Sequence, residues 1–191
     1  MKIAQHHVAL KKLRAVAPMG LCVILMLMCL GIAAKSEAKG GQVVGWVEEV
    51  ILQDVGLQVK AKMDSGAKTS SLDADVITIT KVAKTAQNRT GKKIIFSVQG
   101  DRFGKKKTFE REIIRTVKIK KKGGGFVRRP VVKMEFCIAN KVVSEEVNLA
   151  NRENFLYPVL IGRNMMTHAG LFVNPAQTFI ASPNCSVVKK D

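Results

Sequence analysis

Residues 57–67 read LQVKAKMDSGA, and this stretch decides how the body of the chain is interpreted. Apolar and polar side chains alternate from Leu57 to Met63, which is the period of a half-buried β-strand. The pattern stops at Asp64, so its carboxylate is predicted to emerge at a strand end. Gly66 allows a tight backbone turn directly after it. Because Asp-Ser-Gly is common turn chemistry, this segment alone indicates a turn and no more.

A second stretch, VLIGRNMMTHAG at residues 159–170, makes the interpretation of the first more specific than a turn. Two apolar residues lead into Gly-Arg-Asn, and an apolar helix start follows. The acid loop and this later segment together resemble the active-site loop and the supporting segment of viral retropepsins. In that family, the strand leading to the glycine packs behind an Asp-Thr/Ser-Gly-Ala loop. The resemblance implies a catalytic Asp64, an active-site loop of Ser65, Gly66 and Ala67, and a supporting segment of Leu160, Ile161, Gly162, Arg163 and Asn164.

Further motifs narrow the resemblance to a bacterial family that is often labelled ATP-dependent zinc protease or RimK-associated retropepsin-like protein. The motifs are Gly45–Glu48, Lys62–Leu72, Arg128–Val132, Asn151-Arg152 and Tyr157–Arg163. The resemblance covers roughly residues 43–181 and implies an all-β acid-protease fold, a closed β-barrel with one short C-terminal helix. Family members commonly have Thr where this chain has Ser65, a change that keeps the hydroxyl. The 98 residues from Asp64 to Gly162 exceed the spacing in compact viral enzymes, so extra hairpins or a longer flap are expected.

The resemblance also implies a mechanism. Aspartic proteases use two carboxylates about 3 Å apart that share one proton, one acting as base on a water and the other as acid. This chain has one Asp-Ser/Thr-Gly, since Asp54-Val55-Gly56 lacks the hydroxyl and is interpreted as a turn. A homodimer with Asp64 from each subunit is therefore expected. The expected function is cell-envelope endopeptidase activity on a protein or peptide, and the alternative is a module that binds a peptide or acidic polymer without cutting it.

Four arginines leave alternatives open at this stage. Arg163 either pairs with an acid near the dimer seam or, like Arg152, is a surface arginine that caps local carbonyls. Arg128 and Arg129 follow the glycine run 123–125, so they lie either on a mobile flap that grips acidic substrate or at a solvated hairpin tip.

The chain lacks the residues that several other enzyme classes need. After residue 38 the chain has one histidine, His168, and two cysteines, which is too few for a typical catalytic zinc site. No phosphate-binding Gly-x-x-x-x-Gly-Lys-Ser/Thr loop and no Gly-x-Ser-x-Gly motif occur. No metal and no cofactor are expected, despite the zinc and ATP in the family label. His168 is interpreted as an ordinary residue on a helix surface or in packing.

Residues 1–38 differ from the rest of the chain. Four basic side chains and no acidic one precede the apolar run Met19–Ala34. Ser36-Glu37-Ala38 then supplies a small-x-small site, so a signal peptide cleaved after Ala38 is predicted. An uncleaved membrane anchor is the alternative, because sixteen apolar residues are just short of a comfortable span. Both place the protease domain, residues 39–191, in the periplasm or on the periplasmic face of the inner membrane.

The domain itself is strongly basic, with 27 Lys and Arg against 14 Asp and Glu, a net charge of +13. The basic runs 105–107 and 118–122 are interpreted as solvated loops and hairpins. Few aromatic residues are interleaved with them, so no nucleic-acid partner is expected. Cys137 and Cys185 could pair in an oxidising compartment, although the sequence does not show whether they approach each other.

Overall fold

The computed structural model describes residues 41–101, 104–120 and 123–186. The signal peptide or anchor predicted for residues 1–38 lies outside this range. Within the described ranges, no helix combines the length and the apolar character needed to cross a membrane.

Strands dominate the described chain, which contains one short α-helix near its C-terminal end. The mainly β fold with a single C-terminal helix is therefore confirmed. The strands are β1 (Gln42–Gly45), β2 (Val47–Leu52), β3 (Leu57–Asp64), β4 (Ser70–Asp73), β5 (Asp75–Lys81), β6 (Lys92–Gln99), β7 (Lys106–Glu112), β8 (Arg115–Lys120), β9 (Phe126–Ile138), β10 (Lys141–Ala150), β11 (Val159–Gly162) and β12 (Leu171–Asn174), and the helix is α1 (Arg163–Ala169).

The largest sheet has the strand order β10-β4-β11-β3-β2-β9-β8. Because β10 also pairs with β9, six of its strands close into a ring, and β8 lies outside on the edge of β9. The core fills this ring, and Leu52, Met134 and Phe136 are among its fully buried side chains. Strand β3 buries its apolar side chains and exposes Lys60 and Lys62, as its alternating sequence predicts.

Between the acid loop and the supporting segment, the chain builds two additional units. One is the three-stranded sheet β5-β6-β7, in which Phe96 stacks on Phe109 with ring centroids 5.4 Å apart. The other is the antiparallel hairpin of β8 and the first half of β9. These two units account for the long spacing between Asp64 and Gly162.

One strand boundary differs from the sequence pattern. Residues 109–119 read as one continuous strand, but the structure divides them into β7 and β8, which belong to different sheets. The division occurs at two adjacent residues, because the N–H of Ile113 donates to Lys92 O and the N–H of Ile114 donates to Val131 O. The pattern of residues 172–181 likewise predicts one strand, but in the structure that strand, β12, ends at Asn174.

The C-terminal part of the described chain is fastened to β1 and β2. Strand β12 pairs in parallel with β1. The carboxylate of Glu48, which is fully buried, accepts N–H groups from Gly45 at 2.6 Å, Ile180 at 3.1 Å and Ala181 at 3.2 Å. Cys137 and Cys185 form a disulfide, so the pairing left open by the sequence is present in the structure.

Candidate active site

Asp64 is the last residue of β3, and it lies opposite Gly162 in the parallel pairing of β3 with β11. Its Oδ1 atom accepts N–H groups from Gly66 at 3.0 Å and from Ala67 at 3.3 Å. No described residue donates a hydrogen bond to Oδ2 of Asp64. The half-buried carboxylate is thus oriented through one oxygen, while the other is available for a water or a second carboxylate.

The supporting segment holds the acid loop through the loop's carbonyl groups. Backbone N–H groups of Arg163 and Asn164 donate to Ala67 O at 2.9 Å and to Lys68 O at 3.1 Å. The Arg163 side chain donates from Nη1 to Ser65 O at 2.7 Å and to Gly66 O at 3.1 Å. These contacts match the interpretation of Arg163 as a residue that caps local carbonyls, and those carbonyls belong to the acid loop.

Gly162 is at the closest approach between these two segments. A Cβ atom at this position would lie 2.6 Å from the carbonyl carbon of Thr69 and 2.8 Å from its oxygen. The N–H of Gly162 donates to Ser70 Oγ at 3.0 Å. Only a residue without a side chain allows β11 to support the loop at this distance.

Asn148 on β10 extends this network toward β9. Its Nδ2 donates to Ser70 O at 2.6 Å, and its Oδ1 accepts from Ser71 Oγ and from Arg129 Nη1, both at 3.2 Å. Sequence reasoning missed Asn148. The available signal was a polar residue within the otherwise apolar run 147–150, at a position where a strand is buried.

A cavity of about 620 Å³ adjoins this network. It is lined by three segments, residues 74–76, 127–130 and 149–151. Arg128 and Arg129 therefore line a cavity from strand β9 of the β8–β9 hairpin, several residues from its tip. At the tip, a Cβ added to any glycine of the run 123–125 would meet no atom within 4 Å.

Arg152 brings a further positive charge to this region, where a surface arginine that caps local carbonyls is expected from the sequence. Its side chain is buried at 7% exposure, stacks on the Phe155 ring at 4.5 Å, and donates from Nε to Tyr157 O at 3.3 Å. Burial lowers the pKa of the Arg152 guanidinium and the charge of Arg129 lowers it further, whereas Asp73 and Asp64 raise it. Arg152 is therefore within electrostatic range of both Arg129 and Asp64, and the two arginines repel each other.

Two further ionisable residues, His168 and Lys68, lie at the surface. His168 is on the exposed face of α1, where its Nδ1 contacts the Glu145 carboxylate. Lys68 is exposed. In the part of the chain that the structure describes, no group of three or more His, Cys, Asp or Glu side chains could hold a metal ion.

Comparisons with known proteins agree with this geometry. A family model described as RimB-like, retropepsin-like aspartic endopeptidase RimB, matches residues 43–184. The chain is also similar to the crystal structure of a protein of unknown function from Legionella pneumophila subsp. pneumophila str. Philadelphia 1, with 34% sequence identity and a TM-score of 0.59. That match covers 74% of this chain and 98% of the other. No curated protein matches the chain. The range matched by the family model includes both the Asp64 loop and its supporting segment.

Proposed function

Because the chain belongs to the RimB-like family of retropepsin-like aspartic endopeptidases, we propose that it hydrolyses peptide bonds with a pair of Asp64 carboxylates, one from each chain of a homodimer. The observation that carries this proposal is the acid loop, which orients Asp64 through Oδ1 and leaves Oδ2 without a described donor. A single chain supplies one such loop, so two chains are needed for the pair.

The proposed reaction is a direct attack by water. The two carboxylates share one proton; the ionised one removes a proton from water as the water oxygen bonds to the carbonyl carbon. The protonated carboxyl gives its proton to the carbonyl oxygen, which forms a tetrahedral diol. On collapse of the diol, the carboxyl that took the water proton gives it to the leaving nitrogen, and the other carboxylate takes a proton from a diol hydroxyl as the C–N bond breaks. The products are a carboxylic acid and an amine, and the pair again holds one proton. Two carboxylates that share a proton predict an acid-side or bell-shaped pH profile of turnover.

An apolar strip beside the acid loop supports self-association. Val43 and Phe172 are neighbours across the β1–β12 pair, with 48% and 65% of their surface exposed. Trp46 is exposed near them in sequence, and its carbonyl accepts the N–H of Met63, the residue before Asp64. Exposed apolar side chains of this size on one face are typical of protein interfaces. We propose that this face receives the second chain.

The arginines beside the site support a substrate with acidic side chains. Arg128 and Arg129 line the cavity, and Arg152 is close enough to Arg129 to repel it. A substrate carboxylate in the cavity would be attracted by Arg128 and Arg129 and would offset part of the positive charge there. The same argument supports the second candidate function, a module that binds an acidic peptide without cutting it.

The location proposed for the domain, residues 39–191, is the periplasm or the periplasmic face of the inner membrane. The Cys137–Cys185 disulfide supports it, because disulfides persist in oxidising compartments. Cell fractionation with N-terminal mass analysis tests it. The expected result is a chain in the periplasmic or membrane fraction, and an intact chain in the cytosol would contradict the proposal.

Mixing wild type with the Asp64→Asn variant at constant total concentration tests the shared pair. If subunits exchange and only wild-type pairs are active, turnover falls with the square of the wild-type fraction. Turnover proportional to that fraction, under demonstrated exchange, would show that each chain works alone. Peptides that bind wild type and Asp64→Asn equally, and that neither cuts, would favour the binding module.

A further inference from the structure

Strand β5 (Asp75–Lys81) is unusual because every one of its residues is exposed. It is the end strand of the β5-β6-β7 sheet and pairs only with β6. No backbone hydrogen bond to another described segment is made along its second edge. With respect to residues 41–101, 104–120 and 123–186, one edge of β5 therefore has unpaired N–H and C=O groups.

The apolar side chains of β5 are also exposed to solvent. Val76, Ile77 and Ile79 are exposed at 49%, 59% and 49%. Proteins usually protect a free edge with charges or proline, because an open apolar edge pairs readily with another chain. Here the charged residues, Asp75 and Lys81, lie only at the two ends of the strand.

The free edge is continuous with the candidate substrate cavity. Asp75 and Val76, the first two residues of β5, line the cavity opposite Arg128 and Arg129. Asp75 is paired with Lys106 at 2.7 Å, so its charge is partly neutralised. If a polypeptide bound in the cavity extends beyond it on the β5 side, its next residues lie beside the free edge.

We propose that β5 is an exosite for the substrate, where an extended segment several residues from the scissile bond adds to the free edge as a further strand. The inference rests on the proposed function, because the occupant is the substrate of the Asp64 site. Backbone hydrogen bonds hold the segment, and its apolar side chains pack on Val76, Ile77 and Ile79. At about 3.3 Å per residue, the strand accommodates about six to eight substrate residues. Preferred substrates are therefore extended chains with an acidic part in the cavity and an apolar, β-branched part beyond it.

The test compares three peptides that share one acidic cleaved core. The first is the core alone. The second carries an eight-residue extension that alternates Val and Thr, made at either end because the direction of binding is open. The third has the same extension with alternate backbone nitrogens methylated, which removes donors and keeps the side chains.

With wild-type protein, we expect the extension to lower KM about tenfold and methylation to abolish that gain. The double variant Ile77→Asp/Ile79→Asp should lose the gain and keep wild-type kcat on the core peptide. Val142→Asp on β10, which changes a side chain of similar exposure, 54%, is the matched control and should keep the gain.

Three kinetic outcomes would overturn the exosite: an extension that does not lower KM, a double variant that keeps the gain, or a gain that survives methylation. A double variant whose dimer dissociates in light scattering would assign the face to a second copy, which also overturns it. If no peptide is cut at all, the proposed function fails, and anisotropy binding of the same three peptides still decides the exosite.

Discussion

The Asp64 loop and the β8–β9 hairpin both contribute to the candidate site, but they are held very differently. In the loop, all five consecutive carbonyls from Asp64 to Lys68 accept hydrogen bonds, two of them from the Arg163 side chain. At the hairpin tip, Gly124 and Gly125 have positive φ, and a Cβ added there would touch nothing.

The difference matches the two tasks that the proposed function would give these regions. A carboxylate pair requires placement to within a fraction of an ångström, which only a fully bonded loop provides. A strand that covers substrates of varied sequence needs room to adjust. Substitutions should therefore be costly in and beside the loop and inexpensive at the tip, and substitutions at five positions test that expectation.

The largest effect is expected at Asp64. Asp64→Asn and Asp64→Ala should both lower turnover by about 1,000-fold or more, because each removes the ionisable group. Only Asp64→Ala should also destabilise the fold, by about 1 kcal/mol, because Asn keeps an oxygen that accepts the N–H groups of Gly66 and Ala67. Peptide hydrolysis and urea unfolding measure the two effects. Equal stability losses would show that the loop does not depend on this oxygen.

Gly162→Ala comes next. The added methyl would lie 2.6 Å from the Thr69 carbonyl carbon, in a place bounded by backbone. We expect a loss of about 2–4 kcal/mol in the free energy of unfolding, together with most of the activity. A variant with wild-type stability would mean that β11 and the loop are less tightly fixed than their contacts indicate.

Ser70→Ala removes the acceptor for the buried Gly162 N–H. An unsatisfied buried donor costs about 1–3 kcal/mol, so unfolding should occur at lower urea, with reduced kcat. Ser71→Ala is the matched control and should cost less, because its partner Asn148 Oδ1 also accepts from Arg129. The reverse order of the two losses would contradict the network.

Arg129→Gln tests the hairpin side, where binding is affected more than stability. Loss of one cationic contact should raise KM for an acidic peptide about fivefold, with little change for a neutral peptide. Lys118→Gln, an exposed change of the same charge on β8, is the control and should leave KM unchanged. Equal effects on acidic and neutral peptides would exclude charge recognition by Arg129.

The smallest effect is expected at the hairpin tip. Gly123→Ala has open space around it and no positive φ, so stability should change by less than about 0.5 kcal/mol. Thermal unfolding and peptide hydrolysis at saturating substrate check this. A large loss of turnover would mean that the tip has a fixed position during catalysis.

The sequence alone predicted the parts of the fold that depend on local pattern. The alternation in β3 gave its buried face, and the resemblance brought Asp64 and Gly162 to adjacent strands, where the structure has them. The sequence could not predict partners between distant strands. Residues 109–119 favour strand throughout, so nothing local marks Ile113 as the last residue bonded to one sheet and Ile114 as the first bonded to another.

Two polar residues of the site show the same limit. In the sequence, Asn148 looks like an ordinary strand position. Its amide is recognised as the link between Ser70 and Arg129 only when the neighbouring strands β4 and β9 are known. Arg152 belongs to one of the sequence motifs. Its burial and its electrostatic interaction with Asp64, however, depend on how residues 151–158 fold back.

The Glu48 carboxylate has a consequence for the order in which the domain is completed. It accepts the N–H of Ala181, which is 133 residues away along the chain. The acid loop likewise depends on a hydrogen bond from Arg163, which is 98 residues beyond Ser65. Contacts of such long range form late, because the closure of a long loop must precede them. A nascent chain that lacks its last strands therefore has Asp64 but no rigid loop around it. The acid loop is therefore fixed only after the segment that contains Arg163 has been made and has folded against it.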